Sequence, residues 1–88
     1  MAALLIAYDL NSPGQRHNEI LALIKKKFPW AKLSESSYAI ATNMTPAQAF
    51  DLFKPYLDKN DQLFVIELKR SYKGLGSKEV VDWLDRFL

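Results

Sequence analysis

Short apolar runs alternate along this chain with segments whose apolar residues recur at helical spacing. Runs rich in branched and aromatic residues predict strands at 3–8, 30–34, 38–42 and 62–68, the last being the strongest. Residues 35–37 read as the turn between the second and third strands, and Asp58 to Asp61 as the turn before the fourth. The pattern therefore predicts the element order βαββαβ.

Two similar segments mark the starts of helices. Residues 12–15 (Ser-Pro-Gly-Gln) and 45–48 (Thr-Pro-Ala-Gln) each offer a capping hydroxyl, a proline for the first helical position and a glutamine that can bond back. Pro55 is expected to kink or fray the end of the second helix. The apolar positions expected to face the core are Ile20, Leu23, Ile24 and Phe28 in the first helix and Ala47, Phe50, Phe53 and Leu57 in the second.

The repeated strand–helix order predicts an α+β fold. Two βαβ halves with right-handed crossovers give a ferredoxin-like two-layer sandwich, with the first and third strands central. We expect one domain over residues 1–88, comprising a βαββαβ core at 1–69, a loop at 70–76 and a C-terminal helix at 77–88 capped by Ser77. The apolar residues of that helix would cover the open sheet face or contribute to a dimer interface.

Composition narrows the chemistry. The 88 residues include no cysteine and one histidine, which excludes disulfides and thiolate metal sites and leaves oxygen-bound hard ions such as Mg²⁺ or Mn²⁺. No apolar run approaches the roughly 18 residues of a membrane span, and no basic segment precedes the first apolar run, so we expect a cytoplasmic protein without a membrane partner. A net charge of +2 is too small to establish a nucleic-acid partner.

Asp9 is the main candidate site residue. It follows a strand predicted to be central, so its carboxylate would lie at the rim of the sheet. It has two interpretations. The carboxylate could cap the following turn by accepting from the amides of Asn11 or Ser12. Alternatively it could bind a divalent ion, but since one carboxylate is a sparse ligand set, a two-fold axis would have to bring a second copy close.

Basic and aromatic residues supply a second group of candidates. Lysines 25–27 end the first helix, where they favour the helix dipole, and they could also contact phosphate. The loop segment 69–74 (Lys-Arg-Ser-Tyr-Lys-Gly) could follow a phosphate backbone and stack a base, or could simply be a charged loop. Trp30 could stack against a base or pack against the protein, whereas Trp83 is expected to pack. His17 is a possible general acid or base, or a solvated helix residue.

Three segments in the same order resemble one known family. Tyr8 and Asp9 end the first strand and Arg16 follows after six residues; residues 32–38 (Lys-Leu-Ser-Glu-Ser-Ser-Tyr) are similar to an Arg-Val-Gln-x-Ser-Val-Phe segment; and residues 61–68 are similar to Asp-x-Ile-x-Val-Tyr-x-Leu. Together they resemble the CRISPR-associated Cas-two family, the small ferredoxin-fold subunit of spacer acquisition. The chain also looks like solitary small bacterial proteins labelled SinR-like and, more distantly, VapD-type ribonuclease toxins.

The resemblance implies a homodimer in which two Asp9 carboxylates face each other and share one divalent ion. Family members include metal-dependent nucleases for DNA or RNA and non-catalytic scaffolds that hold duplex DNA. This chain departs from the family pattern at Ser34 and Ser37, and it ends in a predicted helix where the family usually adds a fifth strand. The resemblance and the charged loop together give the candidate site residues. They are Asp9 for metal binding and catalysis; Arg16, Lys32, Arg70 and Lys73 for nucleic-acid binding; and Tyr8, Asn11, Ser12 and Ser36 in support.

Three functions follow as hypotheses. We favour a homodimeric, Cas-two-like nucleic-acid-binding protein with weak or no metal-dependent nuclease activity, because one carboxylate without a second acid or base is a sparse active site. The alternatives are an active Mg²⁺-dependent endonuclease that uses paired Asp9 residues and a non-catalytic module that binds a protein partner.

Overall fold

A computed structural model describes residues 2–10 and 13–88, with side chains described for 2–10 and 17–88. The element order is that predicted from the sequence, followed by the predicted C-terminal helix. The elements are β1 (Ala3–Asp9), α1 (Pro13–Lys27), β2 (Trp30–Ser34), β3 (Ser37–Ala41), α2 (Pro46–Phe53) with a 3₁₀ turn at Lys54–Tyr56, β4 (Gln62–Leu68) and α3 (Lys78–Phe87).

The strands form one antiparallel sheet in the order β2-β3-β1-β4, so the prediction that β1 and β3 are central is confirmed. Leu4 pairs with Ile40 of β3 on one side and with Glu67 of β4 on the other, and Trp30 of β2 pairs with Ile40. Asp9 pairs with Gln62 at the opposite end of the sheet. The molecule is therefore a mixed α+β fold in which the start of β2 and the end of β1 lie at opposite ends of the sheet.

A hydrophobic core lies between helices α1 and α2 and one face of the sheet. Ile20 and Ile24 of α1 and Phe53 of α2 are fully buried against a strand face that includes Leu4 and Ile6. Because side chains alternate along a strand, Leu5, Ala7 and Asp9 point to the other face. We call this second face, opposite α1 and α2, the open face.

Most boundaries agree with the sequence, with small differences. Strand β1 includes Asp9, and Ser37 belongs to β3 rather than to the preceding turn.

The prediction that Ala47 faces the core was wrong. Ala47 is exposed and Ala49 is fully buried, because the side of α2 that carries Ala49 meets the sheet. Pro55 ends the α-helix as expected, since its ring prevents a regular continuation and the chain tightens into a 3₁₀ turn.

The predicted caps are formed where the structure describes them. Thr45 and Gln48 make a complete capping box at α2, and the Ser77 hydroxyl accepts from the Val80 amide at α3. Helix α1 begins at Pro13, as predicted, but its expected capping pair, Ser12 and Gln15, lies outside the residues whose side chains are described.

Helix α3 packs beside the edge strand β2. Its apolar residues are half-buried, and the rings of Trp83 and Phe87 lie 4.5 Å apart, which agrees with the packing expected for Trp83. Phe64 and Ile66 of β4, on the open face, stay 60% and 50% exposed. The helix therefore leaves the β4 side of the open face uncovered.

Candidate functional site

Asp9 is exposed at the end of β1, on the open face, beside its cross-strand neighbour Gln62. It lies at the rim of the sheet, as the sequence indicated. Asn11 and Ser12, which would receive the capping bonds or position a phosphate, lie outside the described residues, as does the side chain of Arg16.

Tyr8 has a structural environment. Its side chain is buried, its hydroxyl donates to the Glu35 carbonyl oxygen at 3.3 Å, and its amide donates to the Ser36 carbonyl oxygen at 3.0 Å. Burial, followed by the neighbouring Tyr38 and Glu35, raises the pKa of Tyr8 to about 12. The phenol is therefore neutral in ordinary buffers. The structure brings two predicted supporting residues together here, since Tyr8 contacts the turn that contains Ser36.

His17 lies beside this tyrosine. The two rings are tilted, with centroids 5.5 Å apart, and His17 is half-buried on α1. A general acid or base has to reach a substrate proton within hydrogen-bond distance. The ring contact gives His17 a packing role next to Tyr8.

Lys32 forms an ion pair with Glu35, in the turn between β2 and β3. Its ammonium lies 3.0 Å from the Glu35 carboxylate, and this hydrogen bond raises the pKa of Lys32 and lowers that of Glu35. Both side chains are exposed, so the pair is weak and screened by salt. Lys32 can therefore exchange its partner for a phosphate at small cost.

Arg70 has a different environment from the one predicted. Its guanidinium donates to the carbonyl oxygens of Leu88, at 2.7 Å, and Asp85, at 3.1 Å, at the C-terminal end of α3. The Tyr72 hydroxyl donates to the Asp85 carboxylate, which raises the pKa of Tyr72. Arg70 therefore closes the loop onto α3, and a phosphate would have to compete with two carbonyl oxygens for it.

Lys73 lines an open cleft of about 870 Å³ between this loop, α3 and the sheet. The cleft is lined by both apolar and cationic side chains. Its lining includes Lys32, Leu33, Leu68, Arg70, Tyr72, Lys73, Leu75, Val80, Val81 and Leu84. Lys32, Arg70 and Lys73, which the sequence predicted to bind nucleic acid, thus line one cleft.

The metal hypothesis requires more ligands than the described part of one chain offers. No group of three or more histidine, aspartate or glutamate side chains lies together among the described residues. Mg²⁺ can bind through one or two carboxylates with water and phosphate oxygens completing its shell. Asp9 alone therefore does not form a metal site within the described part of one chain, and a second copy would have to supply the rest.

A basic and aromatic surface lies at the end of the sheet opposite to Asp9. The Lys25 ammonium lies 4.9 Å from the centroid of the Trp30 ring, which is 38% exposed and packs at 6.0 Å from Tyr38. Lysines 26 and 27 follow Lys25 at the end of α1 and are exposed, and Lys32 lies two residues along β2 from Trp30. We call Lys25, Lys26, Lys27, Trp30 and Lys32 the Lys25–Trp30 surface.

Sequence reasoning treated these residues as separate features. The juxtaposition depends on the short connection between α1 and β2, which folds the end of the helix back over the first residue of the strand. A lysine run ending a helix just before Pro-Trp was the signal available in the sequence.

Comparison with protein-family models, with curated proteins and with solved structures gave no match. Within the described residues, no helix has the length and apolar character needed to cross a membrane.

Proposed function

We propose that this chain has a ferredoxin-like fold, self-associates as a homodimer and binds nucleic acid without cleaving it efficiently. The sheet order supports the fold. Strands β1 and β2 are parallel and separated by β3, and β3 and β4 are parallel and separated by β1, with a helix in each connection. Two interleaved βαβ units of this kind define the ferredoxin-like arrangement.

The separation between Asp9 and the cationic loop supports binding over cleavage, and this observation carries the proposal. Asp9 pairs with Gln62 at the first residue of β4, whereas Arg70 and Lys73 follow Leu68 at its other end. Six residues of extended strand span about 20 Å. Within one subunit, a phosphate held at this loop therefore lies about 20 Å from Asp9, so these cations do not position the phosphate nearest to Asp9.

The Lys25–Trp30 surface is the proposed contact for nucleic acid. An exposed ammonium close to a partly exposed indole resembles the pairing by which single strands are bound, with cations along the phosphates and an aromatic ring against a base. The lysines also complement the C-terminal dipole of α1, so their charge stabilises the helix and remains available to a ligand.

The test is a fluorescence anisotropy titration with labelled single- and double-stranded DNA and RNA. We expect binding that weakens steeply with salt, because displaced counterions dominate the affinity. Lys25→Glu should weaken it roughly ten-fold or more. Lys59→Glu makes the same charge change in the turn before β4, at the other end of the sheet from Trp30, and should have a much smaller effect. Equal losses from both variants would contradict a defined surface.

A metal-dependent nuclease is the second candidate, and the position of Asp9 favours it. Asp9 lies on the open face with Phe64 and Ile66, so face-to-face packing of two copies would bury apolar surface and could bring two Asp9 carboxylates together. A divalent ion bound there would polarise a phosphate and activate water.

Asp9→Asn distinguishes the two candidates. The proposed binding function expects the variant to fold and to bind as the wild type does, with no cleavage by either protein in Mg²⁺, Mn²⁺ or EDTA. Cleavage that requires both the metal and Asp9 would establish the nuclease. A folded protein that binds none of the four nucleic acids would overturn both candidates and leave a protein partner as the remaining function.

A further inference from the structure

The two edges of the sheet are protected to different degrees. Strand β2 is five residues long, contains Lys32, has a register irregularity between Lys32 and Ser34, and contacts α3. These are the devices that keep an edge from pairing with another chain. Strand β4 is seven residues long, pairs with β1 in continuous register, and its sequence QLFVIEL contains no proline, glycine or lysine. Its outer edge is thus suited to strand pairing.

The side chains of β4 are apolar on both faces. Leu63 and Val65 face the core, while Phe64 and Ile66 lie on the open face and are 60% and 50% exposed. Large exposed apolar side chains on an edge strand are uncommon in a protein that stays monomeric, since they promote association. The exposed residues and the unpaired strand edge belong to the same seven-residue strand.

We infer that β4 pairs antiparallel with β4 of a second copy about a two-fold axis at Val65, which joins the two sheets into one. This inference rests on the proposed homodimer and identifies its interface. In this register Phe64 of each copy lies opposite Ile66 of the other, an aromatic–branched pair of the kind that stabilises sheets. Asp61 of each copy lies opposite Lys69 of the other, so two pairs of opposite charge flank the apolar centre.

Neighbouring registers fit less well. A two-fold axis at Phe64 would place Asp61 opposite Glu67, and like charges directly across a ladder are destabilising. A two-fold axis at Ile66 would place Lys69 opposite Leu63 and would form no pair of opposite charges. The axis at Val65 also places a charge, Glu67, opposite Leu63, but it forms the two Asp61–Lys69 pairs. Only even shifts keep each side chain on its own face. The charge pattern along residues 61–69 therefore favours the axis at Val65.

This dimer places the two Asp9 residues far apart. Each is one strand inward from β4 and three residues from the axis, so strand spacings put their Cα atoms about 25 Å from each other. Each Asp9 instead lies two strand spacings, about 10 Å, from the segment after Leu68 of the second copy. An edge-to-edge dimer thus cannot share one ion between the two Asp9 carboxylates.

A single cysteine at the axis tests the inference directly, because the chain has no cysteine of its own. Two residues facing each other across an antiparallel pair have Cα atoms about 4.5–5.5 Å apart, within the range that a disulfide bridges. Val65→Cys should therefore form a covalent dimer under mild oxidation at dilute protein concentration, and a reductant should reverse it. Leu33→Cys, partly exposed on the other edge strand, is the matched control and should stay largely uncrosslinked.

Ile66→Lys provides an independent readout by light scattering, with circular dichroism to verify folding. It should raise the dimer dissociation constant at least ten-fold, whereas Leu75→Lys, a fully exposed leucine in the loop after β4, should leave it unchanged. A folded wild-type dimer in which Val65→Cys does not crosslink, or which Ile66→Lys leaves intact, overturns this interface but not the homodimer. A wild-type protein that stays monomeric overturns both.

Discussion

The guanidinium of Arg70 donates a hydrogen bond of 2.7 Å to the carbonyl oxygen of Leu88. The last carbonyl groups of a helix lack partners within the helix, and a cation near them also complements the helix dipole. With its second bond, to the Asp85 carbonyl, Arg70 connects the loop after β4 to the end of α3. The Tyr72 hydroxyl reinforces the same connection through the Asp85 carboxylate.

Arg70→Gln should therefore loosen α3. We expect the free energy of unfolding to fall by about 1 kcal/mol, the usual net value of exposed bonds from a charged donor after solvent screening. Lys73→Gln removes a cation from the same loop and should change it by less than about 0.5 kcal/mol. Urea unfolding followed by circular dichroism measures both. Equal losses would show that loop charge, rather than the helix-end bonds, is responsible.

The capping box of α2 makes a second prediction. The Gln48 amide donates to the Thr45 hydroxyl at 3.2 Å, and the Thr45 amide donates to the Gln48 side chain at 3.0 Å. Thr45→Ala should lower the free energy of unfolding by about 1 kcal/mol, because it leaves a helix-start amide without its acceptor. Thr45→Ser keeps the hydroxyl and should recover most of the loss. Chemical denaturation of the wild type, Thr45→Ala and Thr45→Ser measures these free energies of unfolding. A serine variant as unstable as the alanine variant would contradict the capping role.

The raised pKa of Tyr8 predicts that the protein loses stability at high pH. Its pKa rises from 10.0 to about 12 on folding, mainly through burial, so the folded state keeps a proton that the unfolded chain releases. The stabilisation is complete below pH 10.0 and is lost as the pH rises from 10.0 to about 12.

Tyr8→Phe removes this titration. Between pH 10.0 and about pH 12, the free energy of unfolding of the wild type should fall relative to that of the variant, because the unfolded wild-type chain releases the Tyr8 proton that the folded state keeps. Comparing the two proteins by urea unfolding at each pH cancels the contributions that they share. A difference that stays constant over this range would contradict a raised pKa.

The fold follows closely from local signals in the sequence. The Thr-Pro-Ala-Gln segment sets the start of α2, Pro55 ends it, and the run of apolar residues within 62–68 defines β4 to the residue, because each signal acts through its immediate neighbours. Ala47 was assigned wrongly to the core because two alanines lie two residues apart on α2, and only packing against the sheet selects Ala49.

The candidate site was less predictable because it depends on contacts between distant segments. The sequence marked Arg70 as a cation on a loop, but its bonds to Asp85 and Leu88 require α3 to fold back against that loop. The exposure of Phe64 and Ile66 depends on where α3 packs, since the same residues beneath that helix would have been buried.

Trp30 allows nucleic-acid binding to be located on the molecule. The chain has two tryptophans, Trp30 beneath the Lys25 ammonium and Trp83 packed at 4.5 Å from Phe87 on α3. Trp83→Phe leaves Trp30 as the only indole, and adding single-stranded DNA or RNA should quench its emission, with the effect lost at high salt. Trp30→Phe leaves Trp83 and should show little change. Because stacking contributes about 1–3 kcal/mol per base, Trp30→Ala should weaken binding roughly ten-fold. Quenching confined to Trp83 would instead place the ligand against α3.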